Sequence, residues 1–245
     1  MAQIFSVAFE GALKRIANTQ LGQKNVRPHR TVAVFDLDGT LTRYDTYLRY
    51  LIGFCRRHPS RILRSWRLPL DVAVFKAQLR DNTWLKRQFL RSILGGMTEA
   101  DLRSWTQCFV DRLMTKGLRP RATELLRNHQ RLGDRTVLLS ASPDIFVKEI
   151  AMRLNFSECL CTIAERDARG RLTGNLDGGN CYGLEKLKRM QALLGADRSD
   201  MRVIAYADHS SDLPLLRWAD EAVLVNPSLA LTRVAAKISL KVARW

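Results

Sequence analysis

Three strand-length runs of β-branched and small apolar residues each close on a residue that can do chemistry. TVAVF over 31–35 ends at Asp36, TVLLS over 136–140 ends on Ser140, and MRVIAYA over 201–207 ends at Asp208. A fourth run, EAVLV, opens the segment 221–227. Runs of this kind are buried on both faces, which is the pattern of parallel strands rather than of a half-exposed antiparallel sheet. Helical patterns separate them: ATELLRNHQRLG ending at Gly133, PDIFVKEIAMRL after Ser142, GLEKLKRMQALLG, and a short Leu213–Trp218 turn. LCTIAE and RLTGNL flank DARG and read as a hairpin. Alternation of this kind demands an α/β fold with a mostly parallel, Rossmann-like sheet, and such sheets bind ligands at the carboxyl ends of their strands. Asp36, Ser140 and Asp208 are therefore expected at one pole.

Between Tyr44 and about Arg119 no comparable strand occurs, and apolar residues recur at helical spacing with breaks at Pro59 and Gly95-Gly96. Three or four helices are expected there. The chain thus divides into an N-terminal helix and linker over 1–30, an α/β core over 31–44 and 119–245, and an inserted all-helical cap over 45–118. Ile4, Ala8, Ala12 and Ile16 would form one stripe of the first helix. The tail, LTRVAAKISLKVARW, reads as a basic amphipathic helix.

Charge is uneven. The chain carries a net +16, of which residues 45–135 hold +11. A field of that sign attracts anions: phosphorylated substrates, anionic lipid or nucleic acid. Arg57, Arg61 and Arg64 fall on one helical face beside Ile62, Leu63, Trp66 and Leu68. Arg233, Lys237, Lys241 and Arg244 form a second stripe beside Val234, Ile238, Val242 and Trp245. Basic helices with Trp and aliphatic residues suit an anionic membrane surface; the plainer reading is solvated helices packed on the sheet. Stacking aromatics interleaved with the bases are missing, so nucleic acid is not expected. Hydrophobic residues make up 46% and charged residues 26%, which excludes a disordered or low-complexity chain. No apolar run reaches the ~18 residues of a membrane span. The start has no basic residue ahead of its apolar stretch, and five cysteines are an odd number. A cytoplasmic protein is expected, with peripheral attachment to the inner face of the membrane as an option.

The run Phe35–Thr42, FDLDGTLT, places two carboxylates two residues apart at a strand end. Residues i and i+2 of an extended chain face the same side, so Asp36 and Asp38 start toward one site. Two such carboxylates can divide the work of nucleophile and proton carrier. Asp208-His209-Ser210-Ser211-Asp212 stands at another strand end. Carboxylates from separate strands suit a hard cation such as Mg²⁺. Ser140 and Lys186 add a hydroxyl and an ammonium, and the whole matches a transferring phosphoryl group. Taken singly, Asp-x-Asp could be an ordinary turn, Ser140 a helix cap and Lys186 part of a solvated face. Cys159-x-Cys161 lacks the partner pair a zinc site needs.

Together these residues resemble the haloacid dehalogenase superfamily, and within it the phosphoserine-phosphatase-like subclass IB with a helical cap. DLDGT (Asp36–Thr40), Ser140 in LLSASP, Lys186 in GLEK, and Asp208 with Asp212 in DHSSD resemble its four motifs, in order, and the likeness covers about 31–228. The resemblance implies that Asp36 attacks phosphorus and that Asp38 serves as acid and then base. It implies Mg²⁺ held by Asp36, the Asp38 carbonyl and Asp208, with Asp212 in support. Ser140 and Lys186 would bind the phosphoryl oxygens. Ala207 and His209 depart from the usual neighbours of the fourth motif; His209 is read as a supporting or surface residue rather than a catalytic base. Nine residues after the nucleophile, where the phosphoserine enzymes usually carry Glu, stands Asp45, the substrate-side candidate.

The function expected is a Mg²⁺-dependent phosphomonoester hydrolase acting on a phospholipid head-group phosphate of the phosphatidylglycerophosphate kind. The alternatives are a soluble phosphatase for a small metabolite such as histidinol phosphate or phosphoserine, and a non-enzymatic basic binding protein. Transfer of the phosphoryl group to an alcohol instead of water remains open.

Overall fold

The computed structural model of the chain describes residues 30–245. The N-terminal helix and linker expected over 1–30 lie outside them, except Arg30, which opens the first strand. Seven strands form one sheet: β1 (Arg30–Phe35), β2 (Arg135–Pro143), β3 (Glu158–Arg166), β4 (Leu172–Asp177), β5 (Met201–Ala207), β6 (Glu221–Val225) and β7 (Lys241–Ala243). Their order is β4-β3-β2-β1-β5-β6-β7. All neighbours run parallel except β3 and β4, the hairpin expected around DARG.

Period-two alternation fills both faces. On the central strands Ala33, Phe35, Leu138, Ile204 and Tyr206 point to one side, and Val32, Val34, Val137, Leu139, Val203 and Ala205 to the other. The first side is covered by α6 (Pro120–Arg131) and α7 (Asp144–Arg153), through Leu126, Phe146 and Ile150. The second is covered by α8 (Leu184–Leu194), α9 (Leu213–Trp218) and α10 (Leu229–Lys237), through Met190, Leu216 and Leu231.

The stretch between β1 and α6 is built of helices joined by turns, with one isolated bridge between Thr42 and Leu118. Five helices occur, where three or four are expected: α1 (Thr46–Arg57), α2 (Ser60–Arg64), α3 (Leu68–Lys76), α4 (Asn82–Phe89) and α5 (Glu99–Arg112). His58-Pro59 separates α1 from α2, and the Gly95-Gly96 turn separates α4 from α5. Asp45, Asp81 and Thr98 cap α1, α4 and α5, Thr98 in a reciprocal box with Asp101. The insertion shares its apolar interior with one face of the sheet: Tyr50 stacks on Phe146 at 4.8 Å between ring centroids, and Phe109 meets Phe146 edge-on at 5.5 Å.

The tail departs from expectation. Its helix stops at Lys237, Ser239 takes a left-handed φ of +55°, and the chain returns as edge strand β7, parallel to β6. Arg233, Lys237, Lys241 and Arg244 therefore share no helical stripe. Lys241 instead pairs with Glu221 at 3.3 Å. The return brings Trp245 to the sheet's carboxyl pole, where its indole N–H donates to the Thr40 carbonyl at 3.3 Å. Likewise Arg61 does not join a surface stripe with Arg57 and Arg64: it turns inward and donates to the Gly95 carbonyl at 2.9 Å. All five cysteines are free. Among the described residues no helix is long and apolar enough to cross a membrane.

Candidate active site

β1 lies at the centre of the sheet between β2 and β5, so its last residue is flanked by the ends of both. The Asp36 amide continues the ladder by donating to the Tyr206 carbonyl at 2.9 Å, and the chain then turns sharply at Gly39. That turn requires glycine twice over. Its φ is +80°, and a Cβ there would stand 2.0 Å from an Asp208 carboxylate oxygen. Gly39 thus lets the first and fourth motifs close on one another.

Lys186, in the first turn of α8, is buried and donates to Asp36 Oδ1 at 2.6 Å and to Asp212 Oδ2 at 3.0 Å. Asp38 is held apart from this pair. One of its oxygens accepts from the Thr46 backbone N–H at 2.6 Å, the other from the Ser142 hydroxyl at 2.7 Å. Ser140 is fully buried within β2, and its hydroxyl oxygen accepts the Ser142 N–H at 3.0 Å. Asp36, Asp38, Ser140, Lys186, Asp208 and Asp212 are thus gathered at one pole. Asp45 is exposed beside them, with Oδ1 engaged by the Leu48 N–H at 2.8 Å as the cap of α1. His209 is exposed and accepts the Ser211 N–H within its own turn.

The charges oppose one another. Burial pushes the Asp36 carboxyl up to about 8, against the pull of Lys186 and with Asp212, Asp208 and Asp38 adding to the rise. Burial lifts Asp208 to about 6, Asp212 adding to it. Asp38 is raised by burial and by Asp45, while its bonds to Thr46 and Ser142 hold it down. Burial works against the Lys186 ammonium, but Asp36 and Asp212 outweigh it and its pKa is raised. Two buried carboxylates, Asp36 and Asp212, with the half-buried Asp208 beside them, face one ammonium and leave the pole short of positive charge. Asp212 Oδ1 is also buried with no hydrogen-bond partner among the described residues. Both observations fit a cation. No three His, Cys, Asp or Glu side chains among the described residues form a ready-made cluster, so backbone and water oxygens would have to complete the shell, as a hard cation accepts.

One participant escaped the sequence reading. Lys86, on α4 of the insertion, is buried, and its ammonium donates to the Ala141 carbonyl at 2.5 Å and to Asn180 Oδ1 at 2.6 Å. Burial lowers its pKa to about 8, with Asp38 opposing. Asn180 also accepts the Thr162 hydroxyl at 3.0 Å and donates to Asn82 and Thr83 of α4. This group binds the insertion to the pole beside Ser140. Nothing marks Lys86 among forty basic residues; the polar Asn180 inside the GGNCYG turn was the one available signal.

Residues 33–217 match the family model of haloacid dehalogenase-like hydrolases. The chain is similar to the protein CicA of Caulobacter vibrioides, 31% identical over 78% of this chain and 83% of that protein. It is also similar to a histidinol-phosphatase of Neisseria meningitidis, 25% identical over 84% and 95% of the two chains. Among solved structures, a Bordetella pertussis protein of unknown function shares the fold with a TM-score of 0.76, at 23% identity over 87% of this chain and 97% of that one.

Proposed function

Because the chain belongs to the haloacid dehalogenase-like hydrolases, we propose that it is a Mg²⁺-dependent phosphomonoester hydrolase working through a phosphoaspartate on Asp36. The observation that carries this reading is the unequal treatment of two carboxylates two residues apart. Lys186 bonds Asp36 at 2.6 Å, while Thr46 and Ser142 hold Asp38 separately. Pairs of acids whose surroundings differ in this way divide into nucleophile and proton carrier.

The Asp36 oxygen that Lys186 leaves free attacks phosphorus, and the ester P–O bond breaks. Asp38, whose carboxyl burial raises above its usual range, serves as the acid and gives its proton to the departing alkoxide. Now ionised, Asp38 takes a proton from water. The hydroxide so formed displaces Asp36 from phosphorus and releases phosphate. Lys186 and Ser140 hold the non-bridging oxygens. Asp36, Asp208 and the Asp38 carbonyl would hold Mg²⁺, which when bound supplies positive charge against the phosphate and keeps Asp36 ionised. Asp212 fixes Lys186 from the far side. Lys86 enters from the insertion with two of its three N–H groups used, leaving one for an anionic substrate oxygen. Asp45 keeps its capping role and stands close enough to Asp38 to raise its carboxyl.

The substrate class is a phosphorylated small molecule, in line with the histidinol-phosphatase relative. A lipid head-group phosphate is the second reading, favoured by the basic and apolar outer surface of the insertion. One experiment tests both. Phosphate release is measured from soluble phosphomonoesters and from phosphatidylglycerophosphate in mixed micelles, with and without Mg²⁺, with Asp36→Asn as the blank. Turnover of either set that needs Mg²⁺ and Asp36 supports the reading. Turnover unaffected by Asp36→Asn removes the nucleophile, and silence on both sets removes the phosphatase.

A further inference from the structure

Between Arg56 and Arg80 the chain carries seven basic residues and one acid, Asp71. Arg56, Arg57, Arg64, Arg67, Lys76 and Arg80 are all exposed, and none has an ion-pair partner among the described residues. Four large apolar side chains among them are exposed too: Leu63 by 77%, Trp66 by 75%, Leu70 by 63% and Ile62 by 55%. Water around four large apolar groups on nine consecutive residues is an unfavourable arrangement that a free surface seldom keeps. The ridge is built on α2 and α3, and α3 packs on α4, the helix that carries Lys86 into the catalytic pole.

We propose that this ridge docks the protein on an anionic lipid bilayer. Apolar tips would enter the headgroup layer and the arginines would meet its phosphates. Trp66 has the amphipathic ring that settles at that depth, with the Arg67 guanidinium 5.7 Å from its centroid. The alternation of bases with apolar residues argues for lipid over another occupant. The charge on the ridge is nearly all of one sign, seven bases against Asp71 alone, which complements the phosphates of an anionic bilayer. A single tryptophan gives no stacking platform for a nucleic acid strand. The proposal goes beyond the catalytic reading and does not depend on which ester is cleaved, because an inactive enzyme would dock equally well.

Flotation of the full chain tests it, with vesicles of phosphatidylcholine alone and vesicles also containing phosphatidylglycerol. The protein is expected to float with the anionic vesicles only, and the Asp36→Asn protein to match it. Arg64→Ala with Arg67→Ala should weaken partitioning about thirtyfold, and Leu63→Ser with Trp66→Ser at least about tenfold. A control removing two exposed bases from α6, Arg127→Ala with Arg131→Ala, should retain binding. Equal flotation with neutral vesicles, or an equal loss in the α6 control, would overturn the proposal, since net charge or general stickiness would then account for it. A concentration-dependent dimer in sedimentation velocity that the Leu63→Ser, Trp66→Ser pair abolishes would assign the ridge to a second copy and also overturn it.

Discussion

The inner and outer layers of the helical insertion are built from similar residue types and used in opposite ways. Helices α1 and α5 bury Tyr50, Phe54, Trp105 and Phe109 in the core, Tyr50 and Phe109 against Phe146 of α7, and α4 sends Lys86 into the pole. From His58 to Arg80 a single apolar side chain, Leu68, is buried. An apolar residue stabilises a fold only where it leaves water. The inner layer therefore contributes to the core and the site, while Leu63, Trp66 and Leu70 contribute to neither. Their presence on the outer layer has to be explained by something the protein meets.

The largest expected effect lies at the inner pole. Gly39→Ala would drive a methyl group into the Asp208 carboxylate. Turnover should fall about a hundredfold or more, since misplacement by an ångström costs that much, while far-ultraviolet circular dichroism stays that of the wild type. Chelation with EDTA should abolish turnover, and added Mg²⁺ should restore it. Retained activity in excess chelator would remove the metal from the account.

Next comes the seam between insertion and sheet. Phe146 is fully buried between Tyr50 and Phe109. Phe146→Ala should lower unfolding stability by about 3–5 kcal/mol in urea titration. The outer ridge should behave oppositely: Leu63→Ser with Trp66→Ser should leave stability within about 0.5 kcal/mol of wild type. A large loss there would show that the ridge belongs to the core after all.

Lys86 sharpens the comparison from the chemical side. Lys86→Met should raise KM about tenfold, the loss expected of a bond to a charged group, with a smaller change in kcat. The sign of its pH dependence follows from its lowered pKa. Below about 8 the ammonium is charged and can meet an anionic substrate, and above it the charge is lost. Wild-type KM should therefore climb as pH rises through 8, and that of Lys86→Met should stay flat over the same range.

Much of this architecture is legible in the sequence. The apolar runs ending at Asp36, Ser140 and Asp208 identified β1, β2 and β5, because parallel central strands leave no freedom to be anything but apolar on both faces. Their shared pole followed from strand direction alone. The tail was misread for a physical reason. The bases and apolar residues from Arg233 to Trp245 keep helical spacing, and the break at Ser239 uses a left-handed serine where glycine would have signalled it. Edge strand β7 is three residues long, too short for a period-two pattern to register. Lys86 was invisible because its role comes from burial against Ala141 and Asn180, residues far from it in the chain. The turn of Arg61 toward Gly95 was hidden in the same way.

The central claim is that Asp36 carries the phosphoryl group while Asp38 moves the protons. Asp38→Asn removes the proton carrier, so the intermediate should persist. Trypsin, cutting after Arg30 and Arg43, releases Thr31–Arg43, in which Asp36 is then the only carboxylate side chain. The measurement is mass spectrometry of that peptide after acid quench of the variant with Mg²⁺ and a turned-over phosphomonoester. The account predicts one phosphoryl group on Asp36, absent from the Asp36→Asn, Asp38→Asn double variant. An unmodified Thr31–Arg43 peptide, with phosphate still released or carried elsewhere in the chain, would contradict it.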